Sequence, residues 1–290
     1  MNPRCVSCML QKKLNAYPPD AAPEAVAIYQ DRVRELLRQG EALSSPEVSW
    51  AIDEARQAMF GPLMDYAPVK RYFNALMRER EDALAMAVSR AGDPLRRAVQ
   101  YAMTGNFIDF AALDNVDENQ LNALLDAAAE IPIDPEALAS LRAETLVAKR
   151  LVYMTDNCGE IVLDKLLIRE LRRLNPALDV AVMVRGAPVG NDATREDAAQ
   201  AGIAEAARVI DSGCGIAGNP LNRISAAARA EVDAADLLIA KGQANYEALS
   251  GCGRNIFFIF MCKCALFMER FGVPQFSGIL TREQPGTTEE

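Results

Sequence analysis

Leu151-Val-Tyr-Met-Thr-Asp156-Asn157-Cys158-Gly159-Glu160 joins a short apolar run to a polar turn. The apolar run predicts a buried strand, and the spacing of apolar residues from Ile161 onward predicts an amphipathic helix. Asp156 and Asn157 would then lie in the turn between the strand and the helix. Open α/β sheets bind ligands at this edge, beyond the carboxyl ends of their strands. The stretch therefore predicts both an α/β fold and a ligand site.

The patterns on the two sides of this stretch differ. Residues 1–147 show helical spacing of apolar residues, with helix starts marked at Ser45-Pro46 and Asp93-Pro94. From residue 148, short β-type runs alternate with helical segments, as in sheets built from parallel strands and right-handed crossovers. We expect a helical domain at 1–147 and an α/β domain at 148–280. The tail at 281–290, with Pro, Gly, Thr and Glu, is expected to be disordered.

The composition excludes several kinds of chemistry. The 290 residues carry a formal net charge of −9 and include no histidine. An acidic chain without a block of lysine or arginine argues against a nucleic-acid partner. The absence of histidine excludes Ser-His-Asp and Cys-His mechanisms and His-rich zinc sites. Acid–base and metal chemistry must therefore use carboxylates, amides, lysine, cysteine or tyrosine.

The cellular compartment can be predicted from targeting patterns and from the use of cysteine. The sequence shows no signal-peptide pattern and no run near the ~20 apolar residues that span a bilayer. We therefore expect a cytoplasmic protein without a membrane partner, in which the seven cysteines are reduced thiols or metal ligands. Cys5-Val-Ser-Cys8 supplies half of a structural zinc site, and Cys262-Lys-Cys264 would supply the other half if the segments meet. The oligomeric state is not indicated.

Two further turns resemble the first in their chemistry. Asn191 and Asp192 follow the second predicted strand, and helix capping would explain them as well as it explains Asp156 and Asn157. Both turns lie at one edge of a parallel sheet, so Asp156, Asn157 and Asp192 could instead converge on a hard divalent cation. Lys241 ends another predicted strand. A cation and a lysine that face one phosphate are typical of phosphoryl transfer.

Four ordered motifs together resemble the damage-control phosphatase family, long called domain of unknown function 89. The motifs are Gly105-Asn-Phe-Ile-Asp109, Asp156-Asn-Cys-Gly-Glu-Ile-Val-Leu-Asp-Lys165, Arg185-Gly-Ala-Pro-Val-Gly-Asn-Asp-Ala-Thr194 and Lys241-Gly-Gln-Ala-Asn-Tyr-Glu247. Cys5 and Cys8 match the N-terminal pair of the stand-alone prokaryotic subgroup. The resemblance covers nearly the whole chain.

The resemblance implies a multidomain α/β protein, with an all-helical domain packed on a Rossmann-like domain and a metal-dependent phosphatase site between them. It implies that Asp156, Asn157 and Asp192 hold manganese, cobalt, nickel or magnesium, and that Lys241 binds the phosphate. Asn106 and Asp109 would approach from the helical side.

The expected reaction is hydrolysis of small phosphorylated metabolites, such as sugar phosphates or damaged phosphometabolites. We expect catalytic roles for Asp156, Asp192 and Lys241, and substrate contacts from Arg185 and Asn191. Two alternatives stay open. A carboxyl methyltransferase using S-adenosylmethionine would fit a Rossmann-like sheet, although the first turn is acidic and lacks a GxGxG loop. A non-enzymatic protein that binds a metal or small ligand would need only the capped turns.

Overall fold

The computed structural model describes residues 1–62, 64–107 and 118–285. Helices account for the first half of the described chain, as the periodicity predicts. They are α1 (Pro3–Lys13), α2 (Pro23–Gln39), α3 (Ser45–Phe60), α4 (Ala67–Arg90), α5 (Pro94–Gly105), α6 (Glu118–Ala127) and α7 (Pro135–Val147). Single 3-10 turns follow α2, at Gly40–Ala42, and α6, at Ala128–Glu130.

Capping side chains set the starts of two of these helices. Ser44 and Glu47 form a capping box at α3, in which Glu47 accepts hydrogen bonds from the backbone and the hydroxyl of Ser44. The cap is thus one residue earlier than the Ser45 expected from the sequence. At α5, Asp93 accepts from the backbone N–H of Arg96, and Pro94 occupies the first turn.

The second half of the chain forms a six-stranded sheet in the order β3-β2-β1-β4-β5-β6. All neighbouring strands pair in parallel except β5 and β6, which are antiparallel. The strands are β1 (Arg150–Met154), β2 (Asp179–Val184), β3 (Arg208–Asp211), β4 (Leu237–Lys241), β5 (Ile256–Met261) and β6 (Gly278–Glu283). The helices between them are α8 (Glu160–Leu174), α9 (Arg195–Gln200), α10 (Ala226–Asp233), α11 (Gln243–Leu249) and α12 (Ala265–Phe271), with a 3-10 turn at Ile203–Glu205. This architecture confirms the predicted α/β class.

Strand β6 corrects the expected end of the ordered chain. Residues 281–283 were expected in a disordered tail, but they complete a strand that pairs with β5 along its whole length. Arg282 lies over the ring of Phe257 and pairs with Glu144 of α7. Tertiary partners on both sides therefore hold a segment whose own sequence has little strand character.

The alternation of side chains along the strands divides the core. Tyr153, Val182 and Ile239 face a large cluster that also contains apolar residues of α4, α5, α7 and α8. Met154 and Met183 face the opposite cluster, which contains residues of α10, α11 and α12. Both faces of the sheet are thus covered, as a parallel sheet requires.

Helices α1 to α3 have a separate core. Tyr29, Val33 and Ile52 lie at its centre, and Met9 and Leu10 of α1 pack against it. Helices α4, α5 and α7 instead share the large core of the sheet. Helix α7 ends at Val147 and β1 begins at Arg150, while the packing separates α1–α3 from the remainder. None of the described helices is long and apolar enough to cross a membrane.

The strand order places a crevice beside β1. The chain passes from β1 to β2 on one side, and β4 pairs with β1 on the other. The connections therefore diverge between β1 and β4, and the carboxyl ends of these two strands border the crevice in which open α/β sheets bind ligands.

Candidate active site

Backbone hydrogen bonds join the turn after β1 to the turn after β2. The N–H of Cys158 donates to the carbonyl of Asn191 at 2.9 Å, and the N–H of Ala193 donates to the carbonyl of Asp156 at 2.7 Å. Asn157 and Asp192 form an isolated antiparallel bridge between these bonds. The structure thus brings Asp156, Asn157 and Asp192 together at one edge of the sheet, and all three are buried.

Asn106 reaches this edge from the end of α5. Its amide nitrogen donates to Asp156 Oδ2 at 2.9 Å and to Glu160 Oε2 at 3.2 Å. Its amide oxygen accepts from the backbone N–H of Met261 at 3.2 Å. Asn106 therefore connects the helical part, the first turn and the end of β5. Asp109, predicted to accompany it, lies outside the described residues.

Glu160 has more partners than a helix cap needs. It accepts from the backbone N–H of Asn157 at 3.3 Å, as its spacing predicts, and from the Asn157 side chain at 2.9 Å. It also accepts from Lys241 at 2.6 Å. This role was not predicted from the sequence, although the place of Glu160 one turn after Asp156 is a signal that could have indicated it.

Lys241 lies at the predicted strand end, but its ammonium group is surrounded by protein oxygens. Nζ donates to Glu160 Oε1 at 2.6 Å, to Asp164 Oδ1 at 2.7 Å and to the carbonyl of Ala102 at 2.8 Å. An ammonium group has three hydrogens, so these bonds use all of them. A direct contact with phosphate, as predicted, would require one of these bonds to break.

Arg185 and Asn191 present donors that the protein itself does not use. The guanidinium of Arg185 is buried, and its Nε donates to Asp192 Oδ2 at 2.6 Å. Its Nη2 lies 3.6 Å from Asp156 Oδ1. Neither Nη atom of Arg185, nor the amide nitrogen of Asn191, has a hydrogen-bond partner among the described residues. Buried donors are rarely left in this state unless a ligand or water completes them.

The site concentrates negative charge in a buried volume. Burial, with the nearby carboxylates of Asp192 and Glu160, raises the pKa of Asp156 well above its usual range. Burial raises the pKa of Asp164 to about 6, although Lys241 opposes the shift. The connected network has four carboxylates, on Asp156, Glu160, Asp164 and Asp192, and two cations, on Arg185 and Lys241. The carboxylates thus outnumber these two cations, and the nearby charge of Lys263 also acts on Asp156.

The predicted metal ligands fit a hard divalent cation in their chemistry. Among the described residues, no three Cys, Asp or Glu side chains are placed to hold a metal ion. The predicted ligands are not such a group of three, because they are two carboxylates, on Asp156 and Asp192, and the amide of Asn157. The Asn157 nitrogen donates to Asp156 and Glu160, and its oxygen accepts no hydrogen bond from the described residues. Oxygen donors in a group rich in carboxylates suit magnesium or manganese.

A cavity of about 750 Å³ lies between α1–α3 and the carboxyl edge of the sheet. Gly190 and Thr194, on either side of Asn191 and Asp192, line it, and so does Trp50 of α3. Asp65 and Lys70 of the helical part also line it, and Lys70 is paired to Asp197 at 2.7 Å. Asn74 accepts from the backbone N–H of Gly159 at 2.7 Å and so fixes the turn after β1.

The described residues do not bring together the four thiols that the sequence offers for a structural zinc site. Cys5, Cys8 and Cys264 line the cavity, but the side chain of Cys262 is buried in the core beside Phe258 and Phe260. Residues two apart along an extended segment share a face, so Cys262 follows Phe258 and Phe260 inward. Cys158 is also buried, which raises the pKa of its thiol.

Comparison with known proteins identifies the family. The family model described as the damage-control phosphatase ARMT1-like domain matches residues 1–279. The chain belongs to this family. This confirms the resemblance seen in the sequence motifs.

Three relatives are each identical to this chain at about a third of the aligned residues. An uncharacterized protein of Methanocaldococcus jannaschii is 34% identical over 65% of this chain and 62% of its own length. A damage-control phosphatase of Pyrococcus horikoshii is 35% identical over 61% of each chain, and one of Archaeoglobus fulgidus is 33% identical over 72% of each. The matched region thus spans about three fifths of the first two relatives.

A solved structure supports the family fold along the whole chain. The crystal structure of a protein of this family, domain of unknown function 89, from Pyrococcus horikoshii has a TM-score of 0.78 to this chain. The two are 26% identical, and the match covers 97% of this chain and 98% of that one. The damage-control phosphatase fold therefore includes α1–α3 as well as the sheet.

Proposed function

We propose that the protein is a metal-dependent phosphatase that hydrolyses monoesters of small phosphorylated metabolites at the carboxyl edge of the sheet, where the turns after β1 and β2 meet. The observation that carries this proposal is the set of unpartnered donors on Arg185 and Asn191 beside the carboxylates of Asp156 and Asp192. Donors without acceptors favour an anion, and carboxylates in excess favour a cation. A phosphate ester accompanied by a divalent metal satisfies both.

Arg185 and Asn191 would bind the phosphate oxygens. The two Nη atoms of Arg185 form a fork that matches two oxygens of one phosphate, and the bond from Nε to Asp192 fixes the plane of the guanidinium. Because the side chain is buried, this orientation is set before substrate arrives. Preorganised donors of this kind stabilise charge that develops in the transition state.

Asp156, Asn157 and Asp192 would hold the divalent metal, which supplies Lewis-acid polarisation of the phosphate and a more acidic bound water. Asn106 and Glu160 orient two of these ligands, through the bonds to Asp156 and to the Asn157 amide. Such orienting partners commonly contribute about 10–100-fold to metal affinity or activity. Lys241 fits this orienting role, because its bonds hold Glu160 in place.

The test is phosphate release from p-nitrophenyl phosphate and from a panel of metabolite phosphates. The protein is first treated with a chelator and then supplied with manganese, cobalt, nickel or magnesium. We expect activity only after metal is restored. Asp156→Ala should lower activity about 10²-fold or more, because a charged group at the reacting centre is lost.

Glu81→Gln is the matched control, since Glu81 is a buried carboxylate outside the site. Thermal unfolding of both variants shows whether each remains folded. Equal activity in the wild type and in folded Asp156→Ala would overturn the proposal, and so would full activity in excess chelator.

A further inference from the structure

Asn74 of α4 connects the segments that follow β1 and β2. Its amide oxygen accepts from the backbone N–H of Gly159, in the turn after β1, at 2.7 Å. Its amide nitrogen donates at 2.9 Å to Asp197, in the first turn of α9, and at 2.7 Å to Gln200. These bonds engage the amide oxygen and use both amide hydrogens. One side chain of the helical part thus contacts the turn after β1 and the helix that follows the turn after β2.

Asp197 extends this connection to the turn after β2. Its Oδ2 accepts from the backbone N–H of Thr194 at 2.8 Å and from the Thr194 hydroxyl at 2.7 Å, as part of the capping box of α9. Lys70, which lies four residues before Asn74 on the same face of α4, pairs with the same oxygen at 2.7 Å. Two side chains of α4 therefore stabilise the start of α9, two residues after Asp192.

The contacts of Asn74 close a ring with the two backbone hydrogen bonds that join the turns. One of those bonds is donated by Cys158, which adjoins Gly159. The other is donated by Ala193, which adjoins Thr194. Every side of the ring is a hydrogen bond or a short stretch of chain, so a shift of one turn past the other would break at least one bond.

The burial of Asn74 indicates that it does more than fill space. Its side chain and that of Asp197 are almost fully buried, as are its apolar neighbours on α4, Phe73 and Met77. A buried polar group needs hydrogen-bond partners to offset the loss of water, so an apolar side chain would serve packing alone as well or better. The partners that Asn74 has instead all belong to the segments after β1 and β2.

We propose that Asn74 is a positioning residue that fixes the turns after β1 and β2 relative to each other, and thereby the spacing of the metal ligands. Asp156 and Asn157 shortly precede the N–H group that Asn74 accepts from. Asp192 shortly precedes the cap that Asp197 forms. Restricting these turns before the metal arrives would orient its oxygen ligands in advance. The effect on the metal rests on the proposed function, whereas the restriction of the turns does not.

Amide hydrogen exchange, followed by NMR on the full chain after chelator treatment, tests the restriction without reference to metal or activity. Leucine has a similar shape to asparagine and no polar side-chain atom. In Asn74→Leu we expect exchange at Gly159 and Ala193 to become about tenfold faster or more, because a buried N–H loses its acceptor and the ring opens. Exchange at Val152 in β1 and Val182 in β2 should change much less. A uniform change at all four amides would show only a loss of global stability and would overturn the proposal.

Asp197→Asn separates the two ends of the connection. The substitution weakens the cap of α9, while Gln200 still accepts from the Asn74 amide. Exchange should therefore become faster at Ala193 and stay slow at Gly159. Unchanged exchange at Ala193 would show that the connection from α4 does not reach the turn after β2, and the proposal would fail.

Glu81→Gln is the matched control, because Glu81 is a buried polar residue two turns further along α4 that pairs with Lys165. It should leave exchange at Gly159 and Ala193 as in the wild type. Thermal unfolding shows whether each variant remains folded. Equally fast exchange at these two amides in Glu81→Gln would mean that any lost contact of α4 loosens the turns, and Asn74 would then have no particular role.

Manganese binding tests the effect on the metal site. Electron paramagnetic resonance measures free Mn²⁺ in the presence of the protein, so no turnover is needed. Asn74→Leu should weaken manganese binding about 10–100-fold, as for other partners that orient metal ligands, and Glu81→Gln should not. Equal manganese affinity in the wild type and in Asn74→Leu would overturn the link between Asn74 and the metal.

Turnover at increasing manganese concentration distinguishes positioning from a catalytic role. Saturating manganese should restore most of the turnover of Asn74→Leu, because its reacting groups are intact. A turnover that stays low at saturating manganese would contradict a positioning role. If the wild type binds no manganese and shows no metal-dependent turnover, the proposed function fails, and the exchange rates still decide whether Asn74 restricts the turns.

Discussion

Helix α8 carries two clusters of charge, and they differ in how fully their charged groups are partnered. On one side, Glu160 and Asp164 meet Lys241 and continue to Asp156. On the other side, Lys165 donates to the carbonyl of Ala201 at 2.6 Å and pairs with Glu81 at 2.7 Å. Neighbouring residues of one helix thus take part in two charged networks with separate purposes.

The cluster around Lys165 is closed by its own partners and by solvent. Glu81 also pairs with Arg78 and Arg169, and the side chains of both arginines are more than a third exposed. The cluster around Asp156 has more carboxylates than cations, and the Nη donors of Arg185 and the amide nitrogen of Asn191 within it have no hydrogen-bond partner among the described residues. Its side chains are buried. The charges around Lys165 have protein partners and reach solvent, whereas Arg185 beside Asp156 has buried donors with no hydrogen-bond partner in the described part of the chain, which favours a ligand there.

The largest effect on turnover is expected from Arg185. Replacing it with Met should lower kcat/KM about 10²–10³-fold, as for other preorganised donors that meet developing charge. Inhibition by inorganic phosphate should weaken in parallel. Steady-state kinetics with phosphate as inhibitor check both, and unchanged phosphate inhibition in the folded variant would count against a phosphate contact at Arg185.

A smaller effect is expected from Lys241→Met. Glu160 would lose an orienting partner, which commonly costs about 10–100-fold in activity. Inhibition by inorganic phosphate should stay as in the wild type, because all three ammonium hydrogens of Lys241 are used within the protein. Weakened phosphate inhibition would instead support the direct contact expected from the sequence motifs.

Glu81→Gln should change stability instead of turnover. Lys165 would lose a charged partner, and hydrogen bonds to charged groups contribute about 1.5–3 kcal/mol. Solvent at Arg78 and Arg169 reduces that figure, so we expect a loss of about 1–2 kcal/mol in the free energy of unfolding. Urea denaturation measures it. A fall in kcat as large as that of Lys241→Met would erase the distinction between the two clusters.

The smallest effect is expected from Glu47→Gln at the start of α3. Despite burial, hydrogen bonds from Ser44, Asn222 and Arg223 lower the pKa of Glu47. A lowered pKa contributes stability above the unfolded pKa of about 4.3, and this is lost as the pH falls through the folded pKa. The variant should lose about 0.3–1 kcal/mol at neutral pH and match the wild type in acid. Urea denaturation at several pH values checks this, and a pH-independent difference would contradict it.

Much of the fold and site follows from local sequence patterns. The change from helical spacing to alternating strands and helices gives the α/β class, and the apolar run that starts at Leu151 forms β1 as predicted. The acidic turns at Asp156 and Asp192 follow from parallel strands ending at one edge. Strand β6 was missed because Thr281 and Arg282 gain their strand geometry from β5 and α7.

Composition alone limits the residue types available at the site, since a chain without histidine leaves carboxylates, amides, lysine and arginine for metal and phosphate. Which of these groups already have hydrogen-bond partners depends on how the chain packs. Lys241 and Arg185 have similar positions at strand ends, yet the first has three protein acceptors and the second has unpartnered nitrogens. Charge and spacing are local properties of a sequence, whereas hydrogen-bond satisfaction depends on residues such as Ala102 and Asp164, far apart in the chain, that meet only when the helices pack on the sheet.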